Sequence, residues 1–282
     1  MRIIEFKITQ KDNGRDIRTF LRNFGVSASL LKKLKNSDRG ITKNGEFART
    51  IDKLHTGDSL KIIIESRGTM PSALNSKNVK ALYEDDDILV LLKPAFMPVH
   101  ESRNHRGDTL ANAAACYMQS DTAFRAVYRL DRDTGGLVLV AKNELAACKL
   151  AGKIKKDYYA VCEGILNEGG TIDLPIRRIG NSIIKRGVFD DGERAVTHWQ
   201  ALRHKNGRTL LKINLETGRT HQIRVHFSHI GHPLCGDTLY GKASADINHQ
   251  ALQCKTIYFT HPVTGKSITV DSELPNDFKG LI

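Results

Sequence analysis

The residues best able to do chemistry lie together in Tyr128-Arg129-Leu130-Asp131-Arg132-Asp133-Thr134-Gly135-Gly136, just ahead of the apolar run Leu137-Val138-Leu139-Val140. A carboxylate flanked by arginines, in a turn that feeds a buried strand, is an unusual placement. Nearby positive charge favours the ionised form, so Asp131 reads as a carboxylate kept charged in a cationic pocket. A surface salt bridge accounts for the same local pattern, and the segment alone does not separate the two.

Other chemistries fit less well. His221, His226, His229 and His232 offer imidazoles, but their spacing matches neither an H-E-x-x-H helix nor a closed Cys/His site, so no metal is expected. Glu84-Asp85-Asp86-Asp87 reads as a solvated turn before a strand rather than a cation site. Gly135-Gly136 and Gly169-Gly170 lack the spacing of a phosphate-binding loop. Asp131 with a second acid would suit a glycosidase, but the strongly basic balance argues against a neutral sugar.

That balance is 43 Lys+Arg against 31 Asp+Glu in 282 residues, a net charge of +12. It points to a polyanionic partner, most simply nucleic acid. A protein on an anionic membrane surface ranks third among the readings, because no amphipathic anchor is present and the densest apolar run covers only residues 88–92. Residues 1–7 read as neither a secretory nor a transit leader. The five cysteines are odd in number and form no C-x-x-C pair, which reads as free, buried thiols in a reducing cytoplasm.

The elements that must position Asp131 follow from periodicity. The length suggests two domains. The small, polar stretch over residues 66–80 reads as a linker, giving domains at 1–66 and 81–282 with 67–80 between them. Residues 1–65 carry 14 Lys+Arg and 8 Asp+Glu, half the net charge in about a quarter of the length. Ile17, Phe20, Leu21 and Phe24 recur at helical spacing, with Gly25 as a stop. Ser27 caps a second helix with Leu30, Leu31 and Leu34 inward and Lys32, Lys33 and Lys35 mostly outward. An Asn44-Gly45 hairpin and a strand at 60–64 follow. Beyond the linker, strands are expected at 88–92, 137–140, 195–202 and 209–215, with an Asn206-Gly207 turn between the last two. Helices are expected at 109–118 and after an Asn143 cap, the latter with Ala147, Leu150, Ala151 and Ile154 on one face. Strands outnumber helices without regular alternation, so the fold class is α+β with a mainly antiparallel sheet.

Two resemblances sharpen this reading. Ser27-Ala28-Ser29-Leu30-Leu31-Lys32-Lys33-Leu34-Lys35, Lys43-Asn44-Gly45 and Leu54-His55-Thr56-Gly57-Asp58 resemble the S4 RNA-binding domain, with Lys43 where an apolar residue is common. Tyr128 to Gly136 resembles the H-R-L-D-x-x-T-S-G signature of RluA-type pseudouridine synthases, with Tyr128 for His and Gly135 for Ser. Lys93-Pro94-Ala95-Phe96-Met97-Pro98-Val99-His100 is similar to K-P-x-G-x-x-V-H, with Phe96 for Gly. Lys156-Asp157-Tyr158-Tyr159-Ala160 is similar to K-x-Y-x-A. Thr217-Gly218-Arg219-Thr220-His221-Gln222-Ile223-Arg224-Val225-His226 matches the T-G-R-T-H-Q-I-R-x-H block throughout.

The resemblance implies an isomerase that converts uridine to pseudouridine in RNA without cofactor or metal. It implies Asp131 as the catalytic carboxylate, either as nucleophile at C1′ or base at C2′. Arg224 would pair with Asp131, and Tyr158 would stack on the uracil and assist proton removal at C5. Arg129 would stack in the space left by an extruded nucleotide, with Arg132, Thr134, Arg219, Thr220, His221 and Gln222 contacting RNA. Lys32, Lys33, Lys35 and Arg39 would give the N-terminal domain its RNA affinity. Together these imply large-subunit ribosomal RNA as substrate and a cytoplasmic monomer. Tyr128 and Gly135 motivate the alternative, a non-catalytic RNA-binding protein or RNA chaperone on the same scaffold.

Overall fold

The computed structural model describes residues 1–65, 79–118 and 123–282. The chain begins with β1 (Arg2–Lys7), an addition to the expected elements. The two expected helices follow. α1 (Ile17–Phe24) is capped by Asp16, whose carboxylate accepts from the Thr19 N–H at 2.8 Å, and Gly25 ends it at φ 108°. α2 (Ala28–Asn36) starts at Ser27, whose hydroxyl accepts from the Leu30 N–H at 3.1 Å, and it buries Leu30, Leu31 and Leu34. β2 (Ile41–Lys43) and β3 (Glu46–Phe47) turn on Asn44 and Gly45 at φ 54° and 88°, the left-handed pair that a two-residue hairpin needs. With β4 (Ser59–Ile64) they form a four-stranded sheet in the order β1-β4-β2-β3.

The core of this sheet does not stop at the expected linker. Residues 66–78 of that stretch lie outside the described residues, and Lys80 already belongs to the next sheet. Leu145, from far along the chain, is fully buried within the N-terminal apolar cluster, and Val263 packs against it. Arg2 donates to both oxygens of Asp87 at 2.9 Å, and Lys33 pairs with Glu144. Lys149 sits 3.9 Å from the centroid of the Phe24 ring.

The acidic run 84–87 is therefore not a solvated turn. Asp87 is 1% exposed and is held by Arg2 and by Asn143. Asp85 accepts from Tyr83, from His261 and from the backbone N–H groups of Asp87 and Ile88. The hydropathy of four acids gives no hint that Arg2, 85 positions away, will neutralise one of them.

The second sheet has nine strands. In chain order come β5 (Lys80–Glu84), β6 (Ile88–Lys93), α3 (Leu110–Met118), β7 (Gly135–Ala141), α4 (Glu144–Leu150) and β8 (Lys155–Glu163). Then come β9 (Gly169–Asp173), β10 (Ile176–Arg178), β11 (Arg186–Val188), β12 (Val196–Lys205), β13 (Arg208–Leu215) and α5 (Gln222–His229). The chain closes with β14 (Leu252–Thr260), β15 (Ser267–Asp271) and α6 (Asn276–Leu281). The order is β5-β6-β7-β14-β8-β13-β12-β9, with β15 beside β14, while β10 and β11 make a separate hairpin. Among the described residues every pairing is antiparallel except β7 with β14, so the α+β class with a mainly antiparallel sheet is what forms.

Two expectations about detail change. α4 ends at Leu150 and buries Leu145, Ala146 and Leu150, because Ala151 is already extended (ψ 123°) and Gly152 turns at φ 70°. Ala151 is exposed and Ile154 lies beyond the helix. The cysteines are free, but Cys116 and Cys148 are exposed; only Cys162, Cys235 and Cys254 are buried.

The site depends most on where β7 meets β14. Gly136 has φ 121°, and a Cβ there would lie 2.3 Å from the Cys254 carbonyl oxygen. At Gly135 the nearest atoms to such a Cβ are 3.7 Å away, ordinary contact, so glycine in place of serine there needs no change of backbone. Gly136→Ala should therefore destabilise the fold by about 2–3 kcal/mol, whereas Gly135→Ala should stay within about 1 kcal/mol. Denaturant unfolding of the two variants checks this, and equal costs would contradict it.

Candidate active site

Asp131 lies in the segment that leads into β7, and the backbone on both sides of it is tied down. The Thr134 N–H donates to the Asp131 carbonyl at 3.2 Å. On the other side, Lys93 at the end of β6 donates to the carbonyls of Pro94 and Met97 at 2.8 Å and of Arg132 at 2.9 Å. Lys93 is 1% exposed, and its three N–H donors are matched by three carbonyls. Burial pushes its ammonium down to about 7, against the attraction of Asp133 and Asp131. The sequence marks Lys93 as the start of the K-P stretch of the resemblance, with no sign that its ammonium is buried. Phe96, where glycine is usual in the resembling motif, adopts φ 61°, the conformation that glycine would take without strain.

The Asp131 carboxylate faces Arg224. Arg224 Nη1 is 3.2 Å from Asp131 Oδ2, as the resemblance implies. Its stronger engagement is elsewhere. Nε and Nη2 donate to the two oxygens of Asp237 at 2.7 and 2.9 Å, and the Asp237 side chain is 1% exposed. Asp237 also accepts from the backbone N–H groups of Leu239 and Tyr240. Burial opposes the charge on Arg224, but the hydrogen bonds and charge of Asp237, with those of Asp131, outweigh it and raise its pKa. A bidentate pair fixes the guanidinium plane, so the third nitrogen is aimed rather than free.

His221 precedes α5 in a left-handed conformation, φ 58°. Its Nε2 is 3.8 Å from Asp131 Oδ2 and its Nδ1 is 2.8 Å from the Tyr240 hydroxyl. That hydroxyl also accepts the Arg186 N–H, which fixes its place beside the ring. Burial lowers the His221 pKa, against the pull of Asp131, so the neutral ring is the form favoured.

Asp131, Arg224, Tyr158 and Tyr128 line one cleft of 970 Å³. Tyr158 and Tyr128 both have pKa values pushed well above 10 by burial, so both stay protonated. Tyr158 therefore offers a ring face and a neutral hydroxyl rather than a phenolate base.

Arg129, Arg132, Thr134, Arg219, Thr220, His221 and Gln222 also line this cleft, but they are not equivalent. Arg129 is exposed, and among the described residues it forms no ion pair. Arg132 pairs with Asp133 at 2.6 Å, and Arg219 pairs with Glu193 and donates to the Arg194 carbonyl. Two assignments to RNA contact do not fit their placement. Gln222 is 2% exposed and its amide is spent on Val196, Thr197, Thr217 and the Arg219 N–H. Thr134 is 2% exposed and its hydroxyl accepts from Gln250. Both hold the walls of the site. Lys32, Lys33, Lys35 and Arg39 lie outside the cleft, on or just after α2, and of these Lys33 is committed to Glu144.

The histidines considered for a metal do not converge. His226 bonds Thr197 and Leu174, and His232 bonds the Glu163 carbonyl. Among the described residues one group, Asp85, Asp87 and His261, brings three such atoms together. Its atoms are engaged with Arg2, Asn143 and Tyr83.

The chain matches known proteins over most of its length. A family model described as RNA pseudouridylate synthase matches residues 87–229. The chain is 38% identical to the uncharacterized RNA pseudouridine synthase YjbO of Bacillus subtilis, over 94% of this chain and 98% of that one. It is 38% identical to the ribosomal large subunit pseudouridine synthase D of Pseudomonas aeruginosa, over 87% of this chain and 83% of that one. Among solved structures, human RNA pseudouridylate synthase domain containing 1 shares the fold with a TM-score of 0.59 at 23% identity, over 70% of this chain and 83% of that one.

The shared guanidinium makes a stability prediction. Arg224→Met leaves Asp237 buried without a counter-charge and should cost about 3–5 kcal/mol. Replacing both, Arg224→Met with Asp237→Leu, should recover most of that loss, because no buried charge remains. Urea unfolding of the single and double variants measures both quantities. A double variant no more stable than the single one would contradict the pairing.

Proposed function

The chain belongs to the RNA pseudouridylate synthase family, and we propose that it isomerises uridine in large-subunit ribosomal RNA with Asp131 as the reacting carboxylate. The observation that carries this reading is the Asp131 carboxylate at the wall of the cleft, 3.2 Å from a guanidinium locked on Asp237. The relative named for the large ribosomal subunit supports the choice of RNA. The reaction breaks the C1′–N1 bond, turns the uracil and joins C5 to C1′. The C5 proton is lost and N1 gains one, so no redox partner is needed. Asp131 acts on the ribose as nucleophile at C1′ or base at C2′; both roles need the ionised form.

A uridine in structured RNA must leave its stack to enter the cleft, at a cost of a few kcal/mol. Arg129 at the rim has the planar guanidinium suited to fill the gap. Tyr158 supplies the stacking face inside. The enzyme works as a monomer in the cytoplasm without cofactor or metal, and its five free cysteines fit a reducing compartment.

Residues 1–66 act as an S4-like RNA-binding domain beside a catalytic domain that includes β5 from Lys80 onward, and the affinity they add is electrostatic. Lys32, Lys35 and Arg39 are the exposed cations that supply it, since Lys33 serves the contact with Glu144.

Asp131→Asn keeps the shape of the side chain but can neither attack nor take a proton. Tritium release from ribosomal RNA labelled at uridine C5 should fall by about 1,000-fold or more, while RNA binding stays within a few-fold of wild type. Turnover near the wild-type rate would remove Asp131 from this role. Neutralising Lys32, Lys35 and Arg39 should lower the slope of log K against log salt by about 0.7–0.9 for each RNA phosphate that these cations neutralise in the wild type. RNA titrations at several salt concentrations read this slope, and an unchanged slope would make these cations a solvated helix face.

A further inference from the structure

Lys156 occupies a position that the reaction as derived so far does not use. It lies on β8 two residues before Tyr158, so the two side chains share a face of the strand, about 6–7 Å apart along it. Both line the cleft with Asp131. The Lys156 ammonium sits 4.3 Å from the centroid of the Tyr128 ring. Tyr128 turns its hydroxyl away to the Leu137 carbonyl at 2.8 Å and gives the ammonium its ring face. A neutral ring face holds a cation.

The charge on Lys156 has no counter-ion among the described residues. Arg224, Arg132 and Arg219 in the same cleft pair with Asp237, Asp133 and Glu193. Among the described residues no carboxylate oxygen lies within 4 Å of the Lys156 nitrogen. The nearby Cys254 thiol is pushed by burial up to about 12, so it stays neutral and supplies no charge. Burial lowers the Lys156 pKa, the direction expected of an ammonium short of water and of partners. A desolvated cation with no carboxylate in contact with it is unfavourable unless something that enters the cleft completes it.

We propose that Lys156 is a catalytic residue that hydrogen-bonds a carbonyl oxygen of the uracil ring as the ring leaves C1′. The inference rests on the reading of this cleft as the uridine site. When the C1′–N1 bond breaks, its electron pair stays with the base and spreads over N1, O2 and O4. An N–H of the ammonium donates to one of these carbonyl oxygens and no proton is transferred. As C5 then bonds C1′, the ring loses its C5 proton, N1 gains one, and the charge that Lys156 met is discharged. Tyr158 and Tyr128 bound this position with rings rather than water, which strengthens a charge–charge interaction there. A phosphate contact would instead place the cation at the solvated rim, where Arg129 stands.

The test uses the full chain with large-subunit ribosomal RNA from cells lacking the protein, enzyme in excess, so that a single turnover is read. Lys156→Met should keep RNA affinity within about threefold and lower the single-turnover rate at saturating protein about 100-fold. Lys156→Arg, which keeps a charge there, should regain at least tenfold. An unchanged rate in Lys156→Met would overturn the proposal. Reduced affinity and salt dependence with the saturating rate intact would also overturn it, in favour of a phosphate contact. Lys156→Arg as slow as Lys156→Met would overturn it as well, leaving only a packing role. If Lys156→Met does not fold, Lys156→Gln is judged by the same three criteria. Wild-type protein that makes no pseudouridine would sink the functional reading itself, an outcome distinct from active wild type with an equally active Lys156 variant.

Discussion

The site is organised around one guanidinium shared by two carboxylates. Arg224 binds Asp237 through two nitrogens in the interior and offers the third to Asp131 at the cleft wall. The interior pair is the anchor. Asp237 is saturated by Arg224 and two backbone N–H groups, so the guanidinium cannot swing away without leaving a buried charge unmatched. Asp131 thus meets a fixed positive charge in a set orientation, with His221 Nε2 3.8 Å away as a second neighbour. A carboxylate so placed is aimed, as it must be before it can act on a ribose.

The rest of the fold keeps Asp131 within reach of that charge. Two distant strand ends converge on its loop. Lys93 closes β6 and holds the Arg132 carbonyl, and Gly136 lets β7 pass against the backbone of β14. β14 in turn pairs with β8, which places Tyr158 and Lys156 across the cleft. α5 brings Arg224 from another direction. Five segments far apart in sequence therefore fix one small volume, and the side chains that do so, Lys93, Thr134 and Gln222, are buried and hydrogen-bonded within the protein.

Much of the local structure was readable from the residues. The helix from Ile17 to Phe24, the helix after Ser27 and the hairpins on Asn44-Gly45 and Asn206-Gly207 follow from apolar spacing, a cap and left-handed turn positions, which act over a few residues. The pairing of Asp131 with Arg224 came from resemblance, since 93 positions separate them and no periodicity connects them. What could not be read was set by tertiary contact. Asp237 as the main partner of Arg224 leaves no local signal. Nor does the burial of Asp87 by Arg2, which made an acidic run look solvated. Gln222 looked like a donor for RNA because its type is polar, yet burial assigns its amide to the protein. The helix after Asn143 reads with Ala147, Leu150, Ala151 and Ile154 on one face, and only the packed structure shows that it buries Leu145 in the N-terminal apolar cluster.

Uridine isomerisation in ribosomal RNA by this cleft is tested by mapping pseudouridines across that RNA from cells with and without the protein. One or a few pseudouridines in the large-subunit RNA should vanish without the protein and return when it is restored. An identical map with and without it would remove this reaction from the protein.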